Sequence, residues 1–153
     1  MPCHVAIEKN TLRISPDDDV ESAINKLKQG KVNSAPVVDE QGHLLGLFSF
    51  KGLMRNLVPV SVAMADGIKI DIKVGAAPGV ARRLANVKPL MVTEVLDRKV
   101  QTVGPEEPLW EGVSLLTNHG GPLAVIDDQN RLLGMISYTS MLELLEKTED
   151  GAE

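Results

Sequence analysis

A chain of 153 residues, 43% hydrophobic and 24% charged, has the composition of one ordinary globular domain or two very small halves. Its 16 basic and 21 acidic residues leave a net charge of −5, which argues against the cationic face that nucleic-acid binding needs. One cysteine, Cys3, rules out an intramolecular disulfide framework and fits a reducing compartment.

The N-terminus has no basic segment followed by an apolar stretch, so no signal peptide is expected. The most apolar run, Leu57–Ala65, is interrupted by Pro59 and Ser61 and falls far short of the ~20 residues that span a membrane. The chain reads as cytoplasmic.

In chain order, Thr11–Ile14 reads as a short leading strand, which Ser15-Pro16 brings to a stop. Asp18 with Glu21 three residues on has the spacing of a capping box. Val20, Ala23, Ile24 and Leu27 then recur at helical spacing as one apolar stripe, which Gly30 ends. Ala35–Val38 is a short buried strand and Asp39-Glu40-Gln41-Gly42 a hairpin turn. Leu44–Phe50 is the returning strand, and Lys51–Leu57 starts a second helix.

Ile68–Val74 alternates apolar and polar residues, the pattern of a half-exposed strand. Residues 80–87 read as a short helix carrying Arg82 and Arg83. The strand can extend a sheet edge, bridge protomers or cover a cleft, and the sequence leaves all three open. A second leading strand over Lys99–Val103 comes next, then a helix with Pro108 at its start and Leu109, Val113 and Leu116 as its stripe. Gly120-Gly121 ends that helix. Strands over Leu123–Ile126 and Leu132–Tyr138 flank a turn at Asp127–Arg131, and a helix runs from Thr139 to about Lys147.

The later elements repeat the earlier ones. Residues 35–57 lie on 123–145 without a gap, and Val37/Val125, Asp39/Asp127, Gln41/Gln129, Leu44/Leu132, Leu45/Leu133, Gly46/Gly134, Ser49/Ser137 and Leu57/Leu145 are identical. Eight identities in 23 positions stand against roughly one or two by chance. Upstream, shifted by one residue, Ile14-Ser15-Pro16-Asp17 matches Val103-Gly104-Pro105-Glu106. A unit this small cannot bury both faces of its sheet alone, and a second copy packed sheet against sheet remedies that. The expected division is 1–58 for the first repeat, 59–96 for an inserted linker, 97–148 for the second repeat and 149–153 for a disordered tail.

Paired units that each carry Pro-acidic-x-x-apolar before a helix, and Val-Val-Asp-x-x-Gly-x-Leu-x-Gly or its variant, resemble tandem CBS domains. The family is named after cystathionine β-synthase, and the pair is called a Bateman module. The resemblance implies an α/β (α+β) fold of two β-α-β-β-α repeats packed sheet to sheet with pseudo-two-fold symmetry. It also implies a stand-alone regulatory or sensor protein, not an enzyme, that forms a homodimer and acts on an unidentified protein target. No cofactor is required. The clefts between the repeats are expected to take AMP, ADP, ATP or S-adenosylmethionine as a regulatory ligand.

Carried onto this chain, the resemblance picks out ligand-binding positions. Ser49 and Ser137 stand where a strand hands over to a helix, a place whose free N–H groups suit phosphate. The loops Asn33-Ser34-Ala35-Pro36 and Gly121-Pro122-Leu123-Ala124 offer small side chains that let a base approach the main chain. Thr11 and Gln101 would line the floor, and Lys51 and Thr139 can meet a phosphate. In many family members an Asp three residues after the serine or threonine holds the ribose hydroxyls; here those positions are Gly52 and Ser140.

Each choice has a plainer explanation beside it. Serine is favoured at helix N-caps without any ligand, Lys51 can be simply solvated, and Asn33 and Ser34 are ordinary turn formers. Gly120-Gly121 is not a phosphate-binding loop, because no Gly-Lys-Ser/Thr comes after it. His4, His43 and His119 lack partners at metal-ligand spacing, and Asp17-Asp18-Asp19 is explained by a helix start without calcium. Phe48, Phe50 and Tyr138 are assigned to the sheet core, Trp110 to core or dimer surface, and Cys3 to no role. An interaction module with degenerate clefts, binding through residues 59–96, is the competing class of function.

Overall fold

The computed structural model describes residues 1–58 and 79–148. The strand expected over 68–74 and the tail over 149–153 lie outside them. Five α-helices are described: α1 (Val20–Gln29), α2 (Phe50–Arg55), α3 (Val80–Val87), α4 (Leu109–His119) and α5 (Tyr138–Lys147). The strands are β1 (Ser34–Val38), β2 (Leu44–Ser49), β3 (Thr102–Val103), β4 (Leu123–Ile126) and β5 (Leu132–Ile136). No described helix is long and apolar enough to cross a membrane.

The α1 stripe is buried as its spacing requires, with Val20, Ala23 and Leu27 fully enclosed. Its cap is Asp19 and not Asp18: the Asp19 carboxylate accepts the Ser22 N–H at 2.7 Å. Asp18 instead accepts the Ser15 N–H and pairs with Lys26 at 2.6 Å. In α4 the inward positions are Leu109, Gly112 and Leu116. Val113, expected in the stripe, is exposed. Gly112 leaves room there for the Cys3 sulfur and the Met141 methyl, which a Cβ would meet at 3.1 and 3.2 Å.

The two hairpins are built alike. In β1–β2, Val37 faces Gly46 and the register shifts after it; in β4–β5, Val125 faces Gly134 and the register shifts at the same place. The Asp39 carboxylate accepts the N–H groups of Gln41 and His43, and Asp127 accepts those of Gln129 and Arg131. These bonds favour the charged form and hold both carboxyls below their ordinary range. Gly42 and Asn130 occupy equivalent left-handed positions, φ 89° and 64°. Glycine and asparagine are the residues that tolerate such angles.

The leading strands are shorter than expected. In the second repeat only β3 pairs, parallel to β4, giving the order β3-β4-β5. In the first, a single bridge from Ile14 to Val37 stands in its place beside the two-stranded β1-β2 sheet.

Ahead of each leading strand runs a strap that packs on the other repeat. Residues 1–8 lie along the second repeat: the Leu109 N–H donates to Met1, the Cys3 N–H to Glu107 and the Glu8 N–H to Met135. Residues 90–97 repeat this on the first: Val20 donates to Leu90, Val92 to Asp18 and Asp97 to Leu47. Cys3 and Val92 are counterparts, both fully buried. The cysteine therefore has a packing role, contrary to its sequence assignment. Burial is the main reason its thiol is pushed above the ordinary range.

Three apolar clusters result among the described residues. One fills the first repeat around Ile14, Leu27, Val37 and Phe48, and one fills the second around Val103, Leu123, Val125 and Ile136. The third lies on the seam, where Val38 meets Ala124, Leu132 and Met135. Each large aliphatic or aromatic side chain so enclosed contributes about 1.5–3 kcal/mol. At the hairpin tips the Leu44 N–H donates to Asn130 (3.0 Å) and the Leu132 N–H to Gly42 (2.8 Å), two bonds related by the internal two-fold. Phe48 is core as assigned. Phe50 is only half-buried, and Tyr138 is exposed, because β2 and β5 end sooner than expected and both residues start helices.

Candidate functional site

The seam leaves two clefts, which share the loops at Asn33-Ser34 and Gly121-Pro122. The larger, about 1630 Å³, runs from the start of α5 to the floor of the first repeat. It brings together Thr11, Ser34, Pro36, Ser137 and Thr139, with Asn33 and Ala35 behind them and Gly121 and Pro122 at one side. The smaller, about 380 Å³, runs from the start of α2 to the leader of the second repeat and collects Ser49, Lys51 and Gln101 around the same two loops. Leu123 and Ala124, expected among the ligand contacts, line neither cleft. Both are fully buried, Leu123 in the second-repeat core and Ala124 on the seam, because β4 starts at Leu123 and turns those side chains inward.

The paired serines cap their helices. Ser49 Oγ accepts the Gly52 N–H at 2.9 Å, and Ser137 Oγ accepts the Ser140 N–H at 3.0 Å. In the second repeat Ser140 completes the box by accepting the Ser137 N–H. A cap uses the hydroxyl as an acceptor and leaves its own hydrogen free to donate. Capping and ligand contact are thus compatible at both serines.

The clefts differ in polarity. The larger is rich in hydroxyls, and Thr11 Oγ1 on its floor is a buried oxygen with no hydrogen-bond partner among the described residues. The smaller is cationic. Lys51, Arg55 and Lys99 line it with His119, and none of the three strong cations has a carboxylate within salt-bridge reach among the described residues. Asp97 is the one acid among the described residues that line it, and its Oδ1 accepts the Lys99 N–H at 2.9 Å.

Sequence reasoning left Asp97, Arg55 and His119 out of the site, since they belong to a strap and to helix ends with no motif around them. Tyr138 was missed for another reason: it was assigned to the core. Its hydroxyl donates to the Leu116 carbonyl and accepts the Gly121 N–H, fixing the loop that both clefts share. Among the described residues no group of His, Cys, Asp or Glu side chains is arranged to hold a metal ion.

Two α/β repeats that exchange straps, clasp through their hairpins and leave a cleft on each side of the seam define a tandem two-cleft module. The chain belongs to the CBS-domain family, whose model matches residues 6–59 and 92–147. It is a CBS pair. Among curated relatives, the uncharacterized protein MJ1426 of Methanocaldococcus jannaschii is 24% identical, over 91% of this chain and 88% of its own. Inosine-5'-monophosphate dehydrogenase of the same organism is 27% identical over 88% of this chain, but this match spans only 22% of the enzyme. Solved structures with the same fold include a Bacillus anthracis CBS domain-containing protein (TM-score 0.71, 14% identity, 97% of this chain and 95% of that one). Another is CBSX2 in complex with AMP (TM-score 0.69, 16% identity, 95% and 96%).

Proposed function

We propose that this protein is a non-catalytic regulatory CBS pair that binds an adenine nucleotide or adenosyl compound in the clefts along its seam. The observation that carries the reading is the pair of clefts itself. Each is closed by a serine-capped helix start from one repeat and by small-residue loops from both. The smaller cleft falls within the ~300–1,000 Å³ range of small-molecule sites. Its cations Lys51, Arg55 and Lys99, unpaired among the described residues, suit the phosphates of a nucleotide. Asp97 stands in the same cleft as Gly52, so a carboxylate from the strap can meet the ribose hydroxyls in place of the missing helix acid. In the larger cleft the Thr11 hydroxyl and the loop at Ser34–Pro36 offer partners for an adenine or ribose edge. The AMP complex of CBSX2, a protein of the same fold, supports an adenosyl ligand.

Ligand binding here acts by shifting the balance between arrangements of the repeats, to the extent that affinity differs between them. Calorimetric titration with AMP, ADP, ATP and S-adenosylmethionine tests the reading. Saturable heat with at least one, lost in Lys51→Ala/Lys99→Ala for a phosphate-bearing ligand, is expected. Absence of both heat and thermal shift at millimolar ligand with folded protein contradicts it.

A further inference from the structure

We propose that Tyr138 couples the two clefts: it stands in the larger one and positions a wall of the smaller, so that a ligand held against its ring tightens binding in the other. The proposal rests on the reading of both clefts as ligand sites and adds how one regulates the other. It starts from the loop of residues 120–122. Gly121 and Pro122 line both clefts, His119 and Gly120 only the smaller, and Tyr138 only the larger.

The loop takes its position from Tyr138. Gly120, at φ 80°, and Gly121 are two permissive residues in a row. The phenol oxygen accepts the Gly121 N–H at 3.2 Å and donates to the Leu116 carbonyl at 3.1 Å, so it ties the loop to the end of α4. The main chain lies against the ring: a Cβ at Gly121 would stand 3.7 Å from Tyr138 Cε2, and one at Gly120 would stand 3.6 Å from its hydroxyl.

The first repeat holds its loop in another way. Phe50 is the counterpart of Tyr138, and Asn33 that of Gly121. There the Phe50 N–H donates to the Asn33 carbonyl at 2.9 Å, a bond that the second repeat lacks among the described residues. A main-chain bond is beyond a ligand's reach, whereas Tyr138 is 54% exposed. A hydroxyl has one hydrogen and two acceptor positions. Tyr138 uses its hydrogen and one acceptor, which leaves the second for a donor on a ligand, and its ring offers a face for a base to stack on. A ligand in the larger cleft thus engages Tyr138 with the latch closed and keeps it closed. The glycine loop is then already ordered when the smaller cleft fills, which makes the coupling positive and equal in both directions.

The test titrates the full chain with two probes, tripolyphosphate for the cationic cleft and adenosine for the hydroxyl-rich one. Tripolyphosphate heat that Lys51→Ala/Lys99→Ala removes reports the smaller cleft. In wild-type protein, saturating adenosine is expected to lower the tripolyphosphate Kd about 5–10-fold. Tyr138→Phe gives the second repeat the residue that the first already has. It is expected to raise that Kd ~3–10-fold and to abolish the effect of adenosine. Amide exchange separates the latch from general stability: Gly121 should lose protection in Tyr138→Phe and gain it with adenosine in wild type, while Val125 in β4 stays unchanged. Both probes binding without coupling, coupling that survives Tyr138→Phe, adenosine that weakens tripolyphosphate binding, or protection lost at Val125 as well as Gly121 overturns the proposal. Failure of either probe to bind at millimolar concentration overturns it too; the nucleotide titrations above then tell whether the reading of the clefts as ligand sites falls with it.

Discussion

Gly46 faces Val37 across the first hairpin, and the strap of residues 90–97 lies directly over it. A Cβ at position 46 would collide with the Leu96 side chain and stand 2.6 Å from the Asp97 carbonyl oxygen. That oxygen cannot swing away cheaply, because the Leu47 N–H donates to it at 2.8 Å and the Asp97 N–H returns a bond of 2.8 Å to Leu47. Gly46→Ala therefore either strains the strand or lifts the strap. Overpacking of this kind costs about 1–3 kcal/mol, and the two bonds at risk are worth about 0.5–1.5 kcal/mol each. The sum, roughly 2–6 kcal/mol, corresponds to a melting temperature lowered by roughly 4–24 °C for a chain of this size.

Thermal and urea unfolding followed by circular dichroism measure it. Gly42→Ala is the control. It has nothing within 4 Å of its Cβ but a φ of 89°, so it should lose only the ~1–2 kcal/mol of a left-handed residue. A Gly46→Ala protein that melts within a degree or two of wild type would refute the close docking of the strap.

The cleft, the turns and the buried thiol each give a further expected outcome. Gly52→Asp restores the acid that the family pattern places at the start of the second helix, where a Cβ meets only Ser49 Oγ, at 3.0 Å; nucleotide affinity should rise about 10–100-fold by calorimetry, and unchanged affinity would remove ribose recognition at α2. The turn carboxylates Asp39 and Asp127 have lowered pKa values, so their contribution is present above the ordinary aspartate range near pH 4 and is lost as pH falls through their lower folded values. Asp39→Asn/Asp127→Asn should accordingly flatten the decline of stability between about pH 5 and pH 2, as read by urea midpoints across that range. The thiol of Cys3, buried and raised, should react with Ellman's reagent only at the rate of unfolding, and rapid labelling of native protein would contradict its place under α4.

The internal repeat was legible because identities cluster where geometry is least forgiving. Asp39 and Asp127 bind turn amides, Gly46 and Gly134 admit a crossing strap, and Ser49 and Ser137 cap helices. Each is a local demand that leaves a fixed residue type. The straps were hidden because their demand is only for apolar bulk. Cys3 pairs with Val92, Ala6 with Val95 and Ile7 with Leu96, and none of these is an identity. Their contacts are also exchanged between repeats, so nothing near them in sequence reports them. For the same reason Asp97, which belongs to a strap, was overlooked as a cleft acid. The burial of Leu123 and Ala124 was hidden for a different reason: the strand over Leu123–Ile126 was legible, but alternation along it does not tell that both of its faces are covered, one by the second-repeat core and the other by the seam.

The most direct test of the central claim is amide chemical-shift mapping of the labelled chain titrated with AMP and with ATP. Saturable shifts are expected at the cleft walls, around Thr11, Ser34, Ser49 to Gly52, Asp97 to Gln101 and Gly121, and Ser137 to Ser140. Shifts confined to surfaces away from the seam, or a spectrum unmoved by millimolar nucleotide, would contradict a ligand-binding role for the clefts.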